Sequence, residues 1–169
     1  MHQFQPYPIE LLEFNPFTEF GKEWAAIVSS GSKRPNAMTA AWGGVGVLWG
    51  KNVASIYVRD SRYTKELLDA TDSFSINFFN NPKMKYTLEY LGQVSGRDED
   101  KLAGARLHVD YEQGVPILDE AAFVFVCKKM AATRLTEDCF CDPSIRERWY
   151  ADGDFHTLYI GEILTVLAR

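Results

Sequence analysis

The chain has 169 residues, a formal net charge of −5 and an apolar fraction of 46%, which fits one domain with a sizeable core. The acidic balance, with no long Lys/Arg run, argues against a nucleic-acid partner, because phosphate binding needs a concentrated basic surface. No apolar stretch is long enough to span a bilayer, and three cysteines, Cys127, Cys139 and Cys141, cannot make a fully paired disulfide framework.

Residues Met1 to Pro8 lack the basic and apolar regions of a signal peptide. With the unpaired cysteines, this gives the expectation of a soluble protein of a reducing cytoplasm. Aromatic residues make up 14%, including four tryptophans and eleven phenylalanines; such rings fill a core or line a flat-ligand pocket. There is no repeat, low-complexity segment or linker, so residues 1–169 read as a single domain.

Taken in chain order, Asn15-Pro16 reads as a cap with proline at the first helical position, opening a helix to Trp24. Ala25–Ser29 reads as a strand stopped at Ser30-Gly31-Ser32. Ala37–Trp42 reads as another, broken by Gly43-Gly44. Val53–Arg59 alternates with the period of a strand. Ser61 can cap a helix to Ala70 with Leu67 and Leu68 facing inward. Phe74–Phe79 is a strand, and Asn81-Pro82 repeats the cap-plus-proline signal for a helix to Leu91. A short helix fits Asp98–Gly104, with strands at Leu107–Tyr111 and Phe123–Leu135, the second long enough to bend between two sheet regions. Asp142-Pro143 begins a helical turn through Trp149, and His156–Val166 is β-rich. Strands dominate without regular strand–helix alternation, which predicts a mainly β, α+β fold: an antiparallel barrel with short peripheral helices.

The glycines at 43, 44 and 46 do not make a nucleotide loop. A dinucleotide fingerprint from Gly44 and Gly46 meets Trp49 where its third glycine belongs. A P-loop ending at Gly50-Lys51 lacks the glycine at Val45 and the hydroxyl at Asn52. These glycines read as turn residues between strands. Before them, Ala40 and Ala41 leave room beside a flat ring, Thr39 offers a hydroxyl, and Met38 and Trp42 offer apolar cover, or belong to the core. Arg59, Ser61, Arg62 and Thr64 have two readings: a phosphate cradle at a helix start, or the commoner capped helix with surface arginines. Ser95-Gly96-Arg97-Asp98, followed by Lys101, repeats the pattern of hydroxyl, glycine and base. A metal site lacks a ligand set, since Cys139-x-Cys141 has no second pair and Cys127 resembles a core thiol. His156, ahead of a β-run, reads first as a structural hydrogen-bonding residue.

Together, Asn36–Gly43, Val58–Thr64, Phe74–Asn77, Ser95–Lys101, Cys127-Lys128 and Asp154–Ile163 resemble the flavin reductase family with the FMN-binding split-barrel fold, especially its flavoredoxin-like branch. They occur in the family's order across nearly the whole chain. The resemblance implies a homodimer with FMN near the subunit interface. It puts Met38–Trp42 and the Ser75–Phe78 backbone, with Asn77, beside the flavin ring, and the phosphate at Arg59–Thr64. Ser95, Arg97 and Lys101 add contacts to the phosphate side or the partner, Asn36 belongs to the first motif, and His156 approaches the nicotinamide or the ring. Ala41 stands where serine is often found, which removes a hydroxyl from the ring edge.

The activity so implied is hydride transfer from NADH or NADPH to the flavin, with no general acid or base required of the protein. Two rivals are a non-enzymatic FMN-containing electron-transfer protein and a split barrel without flavin acting in assembly. An oxidase of the pyridoxamine-phosphate type fits the Ser95–Lys101 and His156–Glu162 segments less well.

Overall fold

The computed structural model describes residues 3–30 and 34–169. The N-terminal part carries β1 (Gln5–Tyr7), α1 (Pro16–Thr18), β2 (Ala25–Ser29), β3 (Asn36–Ala40), β4 (Gly43–Leu48) and β5 (Lys51–Arg59). The middle carries α2 (Tyr63–Asp69), β6 (Ser73–Phe78), α3 (Met84–Gln93), α4 (Lys101–Gly104), β7 (Val109–Glu112) and β8 (Val115–Leu118). β9 (Phe123–Arg134), α5 (Pro143–Trp149) and β10 (His156–Ala168) complete it. An eight-stranded sheet runs β3-β2-β6-β9-β10-β5-β4, with β1 added against β10, and every pair in it is antiparallel. β7 and β8 form a separate two-stranded sheet.

Alternation along the central strands builds two cores. Phe74, Ile76, Phe78, Phe125 and Cys127 face one side and join Phe20, Ile27, Ile56 and Tyr159. Val28, Val124 and Val126 face the other, where Leu88 and Leu91 of α3, Leu102 of α4 and the β8 side chains cover them. The inner core is a phenylalanine cluster: Phe14 meets Phe78 at 5.2 Å with nearly perpendicular rings, and Phe78 stacks on Phe123 at 4.6 Å. Edge and offset contacts of this kind add to area burial.

Strand Ala25–Ser29 lies where the sequence predicts it, β9 and β10 nearly so, and the stop expected at Ser30-Gly31-Ser32 falls partly outside the described residues. Four expectations need correction. The helix expected to Trp24 is three residues of α1 followed by a π-helical turn, Glu19–Glu23, which buries Phe20 and ends at Trp24 with φ +66°. Gly43 and Gly44 do not break a strand; they begin β4, and the chain turns at Trp49-Gly50, both left-handed, as a tight hairpin requires. Gly43 is needed for another reason, since a Cβ there would lie 2.6 Å from the Phe20 ring.

Ser61 does not cap α2. The cap position is Arg62, whose side chain makes no capping bond, and the Ser61 amide and hydroxyl donate instead to the Asp154 carboxylate at 3.0 and 2.6 Å. Finally, the helix expected from Asp98 begins at Lys101, capped by Asp100, whose Oδ1 accepts from the Ala103 amide.

Candidate functional site

β3 and β4 are the two ends of the sheet path, yet they are neighbours in sequence, joined only by Ala41-Trp42. Beside this seam, antiparallel pairing of β5 with β10 sets Arg59 opposite His156. α5 ends nearby at Trp149. A cleft of roughly 250 Å³ opens among these elements. Its lining includes Met38, Thr39, Ala40 and Ala41, the rings of Trp42, Tyr57 and Trp149, and Arg59, Arg62 and His156. Trp42 packs edge-on to Trp149 at 5.0 Å and lies 4.9 Å from the His156 ring.

A second, smaller and polar cavity of about 100 Å³ shares Met38 and Arg62 with the first. Asn36, Ser61, Thr64, Ser95 and Lys101 line it. Gly96 lets its walls close: a Cβ there would stand 2.1 Å from Asn36 Oδ1. Asn36 Nδ2 donates to the buried Thr64 hydroxyl at 2.8 Å, which fixes both side chains at the cavity wall.

The chain has 23 acidic residues, and none of them lines either cavity. Among the described residues three cations do, and each rests on carbonyl oxygens. Arg59 donates to Asp154 O at 2.6 Å and Trp149 O at 3.1 Å, Arg62 to Gly92 O at 2.5 Å, and Lys101 Nζ to Leu91 O at 2.8 Å. Elsewhere five arginines are paired with carboxylates: Arg34 with Asp100, Arg97 with Glu66, Arg134 with Asp60, Arg146 with Glu137 and Arg169 with Asp119. A carbonyl fixes a cation's position without cancelling its charge, so the joined cavities carry a positive potential inside an acidic protein.

The two titratable groups buried here respond accordingly. Burial, with Arg62 adding to it, pushes the Lys101 ammonium down to about 8. Burial first, then Arg59, pushes His156 down to about 4, so the imidazole is neutral at pH 7. Its Nδ1 lies 2.8 Å from the Tyr150 hydroxyl.

Of the residues singled out in the sequence, Met38, Thr39, Ala40, Ala41, Trp42, Arg59, Arg62 and His156 meet at the cleft. Asn36, Ser61, Thr64, Ser95 and Lys101 meet at the polar cavity. Two do not arrive. Asn77 is fully buried and its polar atoms are spent on Ala26 O, the Ser75 hydroxyl and the Leu118 amide, so it braces β2 and β8. Arg97 lines neither cavity; it pairs with Glu66 and donates to Ser61 O at 3.0 Å, holding the turn from outside. Thr39 lines the cleft, but its hydroxyl donates to Leu88 O of α3.

Sequence reasoning missed Tyr57, Trp149 and Tyr150. The alternation of β5 puts Tyr57 on the face away from Ile56 and Val58, which was a readable signal. No local pattern marks Trp149.

The family described as flavin reductase like domain matches residues 22–169. Among solved structures, an FMN-binding protein from Thermus thermophilus with bound p-hydroxybenzaldehyde is 20% identical, with a TM-score of 0.69 over 98% of this chain and 82% of its own. Flavoredoxin from Methanosarcina acetivorans is 21% identical, with a TM-score of 0.66 over 87% of this chain and 68% of its own. The NADH:FAD oxidoreductase SgcE6 of Streptomyces globisporus is 17% identical, with a TM-score of 0.66 over 90% and 79%. No curated protein matches the chain. No helix among the described residues is long and apolar enough to cross a membrane.

Proposed function

This chain belongs to the flavin reductase-like domain family, and we propose that it binds FMN across the two joined cavities and reduces it with a nicotinamide nucleotide. The observation that carries this reading is the charge pattern: an aromatic cleft opens into a small polar cavity, with three cations and no carboxylate among the described residues of their lining. A planar ring with a phosphate at one end fits that division of chemistry.

Arg62 and Lys101, with the hydroxyls of Thr64 and Ser95, hold the phosphate, and Ser61, tied to Asp154, fixes the turn that carries Arg62 and Thr64. Ala40 and Ala41 leave the space a flat ring needs, and Trp42 and Trp149 cover it and keep water out. FMN, when bound, supplies two-electron chemistry with the nicotinamide donor. Neutral His156 holds the Tyr150 hydroxyl and the cleft wall without adding charge beside the ring. Because the cofactor carries the chemistry, no general acid or base is required of the protein. The Asn77 and Arg97 side chains brace the walls.

The protein acts as a homodimer in this reading. Val45, Val47, Leu48 and Trp49 stand exposed on the terminal hairpin of the sheet, and an apolar edge strand of this kind is a template for pairing. Light scattering reads the mass directly, and a monomer at working concentration removes this part.

Anaerobic titration of the FMN-loaded protein with NADH and with NADPH tests the function. Loss of the absorbance near ~450 nm is the expected result. Full FMN retention without bleaching by either donor leaves an electron-transfer flavoprotein. Failure to retain added FMN removes the flavin reading altogether.

A further inference from the structure

Cys139 and Cys141 are exposed free thiols on either side of Phe140. The Phe140 backbone is extended, with φ −88° and ψ 108°. Cys139 ends a 3-10 turn, Glu137–Cys139, and one extended residue between the two cysteines keeps their Cα atoms within about 6.6 Å, near the outer edge of what a disulfide bridges. The Phe140 ring packs 5.1 Å from Tyr150 and 6.2 Å from Phe155, and Tyr150 holds His156 in the cleft wall. Burial pushes the Tyr150 phenol up, Arg59 opposes this, and Cys139 adds to the rise. The third cysteine, Cys127, is buried, and desolvation pushes its thiol far up, so it is inert.

We propose that Cys139 and Cys141 form a redox-active dithiol that exchanges with small disulfides of the glutathione type, and that Phe140 carries the change to the cleft wall. One cysteine thiolate attacks a sulfur of the small disulfide; the S–S bond breaks and one small thiol leaves with a proton. The second cysteine then attacks the mixed disulfide and releases the second small thiol. The pair loses two electrons and two protons, and the small disulfide gains them. Closing the ring requires the two Cα atoms to approach, which bends the chain at Phe140 and shifts its ring against Tyr150. A bridge at the limit of reach is readily reduced, which suits a reversible device rather than a structural bond. This does not rest on the flavin reading, since neither step involves the cofactor.

The test equilibrates the full-length protein with graded mixtures of reduced and oxidised glutathione, quenches in acid, and measures mass and free thiols. The expected result is loss of two of the three thiols in one transition, with a mass decrease of about 2 Da for the two hydrogens and Cys127 untouched. Cys139→Ser and Cys141→Ser should each stop at a single glutathione adduct. Tryptophan emission from the Trp42–Trp149 wall should change on oxidation of the native chain and not of the double serine variant. Stable glutathione adducts on both cysteines at every ratio, with no internal bridge, would overturn the dithiol. A bridge that leaves the emission unchanged would overturn the link to the cleft.

Discussion

Replacing Lys101 by methionine keeps the buried apolar stem and removes the ammonium from the polar cavity. Lys101 is only 4% exposed, and its partner among the described residues is the Leu91 carbonyl at 2.8 Å, so the variant takes that carbonyl's ammonium away. That costs about 1 kcal/mol of stability. A hydrogen bond to a charged partner is worth about 1.5–3 kcal/mol, so FMN affinity should fall roughly 10- to 150-fold. Riboflavin, which lacks the phosphate, should change by less than about twofold. Because burial and Arg62 hold Lys101 at about 8, the ammonium is fully present below that pH and is lost above it. The preference of the native protein for FMN over riboflavin should therefore shrink as pH rises through 8, while the variant's ratio stays flat. Fluorescence-quenching titrations of both ligands, with circular dichroism to verify folding, measure all of this. Equal losses for the two ligands would refute the phosphate role, and so would a native ratio that is flat across pH 8.

Other expectations follow from the same geometry. Neutral His156, held at about 4 by burial and Arg59, means the unfolded chain binds the extra proton between about pH 4 and 6.5. Its stability contribution is complete above that window and disappears as pH falls through it, so urea midpoints of native and His156→Gln proteins should converge toward the acid end; parallel profiles would contradict this. Gly43→Ala drives a Cβ to 2.6 Å from Phe20 and should cost about 1–3 kcal/mol by overpacking. Gly46→Ala, with nothing within 4 Å, should stay within about 0.5 kcal/mol; equal denaturation midpoints would show that Phe20 yields freely. Asp154→Ala removes both bonds to Ser61, and a loss of about 1 kcal/mol together with weaker FMN binding is expected. Unchanged FMN binding would separate the 59–64 turn from the ligand.

Local pattern carried the central strands because their burial is periodic. Ala25–Ser29 is bounded where composition changes, and β9 and β10 are long apolar runs. β4 was unreadable for the opposite reason. Its three glycines have poor strand propensity, and it is a strand only because β5 pairs with it and Phe20 lies against Gly43. The site shows the same division. Short-range motifs identified the hydroxyls and cations, while their partners came from far along the chain. Ser61 finds Asp154 across 93 residues and Arg97 finds Glu66 across 31, contacts that no local motif predicts. Asn77 was assigned by motif position alone, and its three bonds to β2, β6 and β8 are visible only in the packed core.

The position of β10 also governs when the cleft can exist. It pairs with β1, β5 and β9, and its first residue supplies the imidazole opposite Arg59. On a ribosome, which delivers the chain N-terminus first, the β4–β5 hairpin emerges roughly a hundred residues before its second neighbour. Until then, Val53, Ile56 and Val58 of β5, all buried in the finished sheet, have no strand on their far side. Non-local pairing of this kind is slow, so these side chains wait uncovered until β10 arrives, and the wall that sets His156 opposite Arg59 is complete only then.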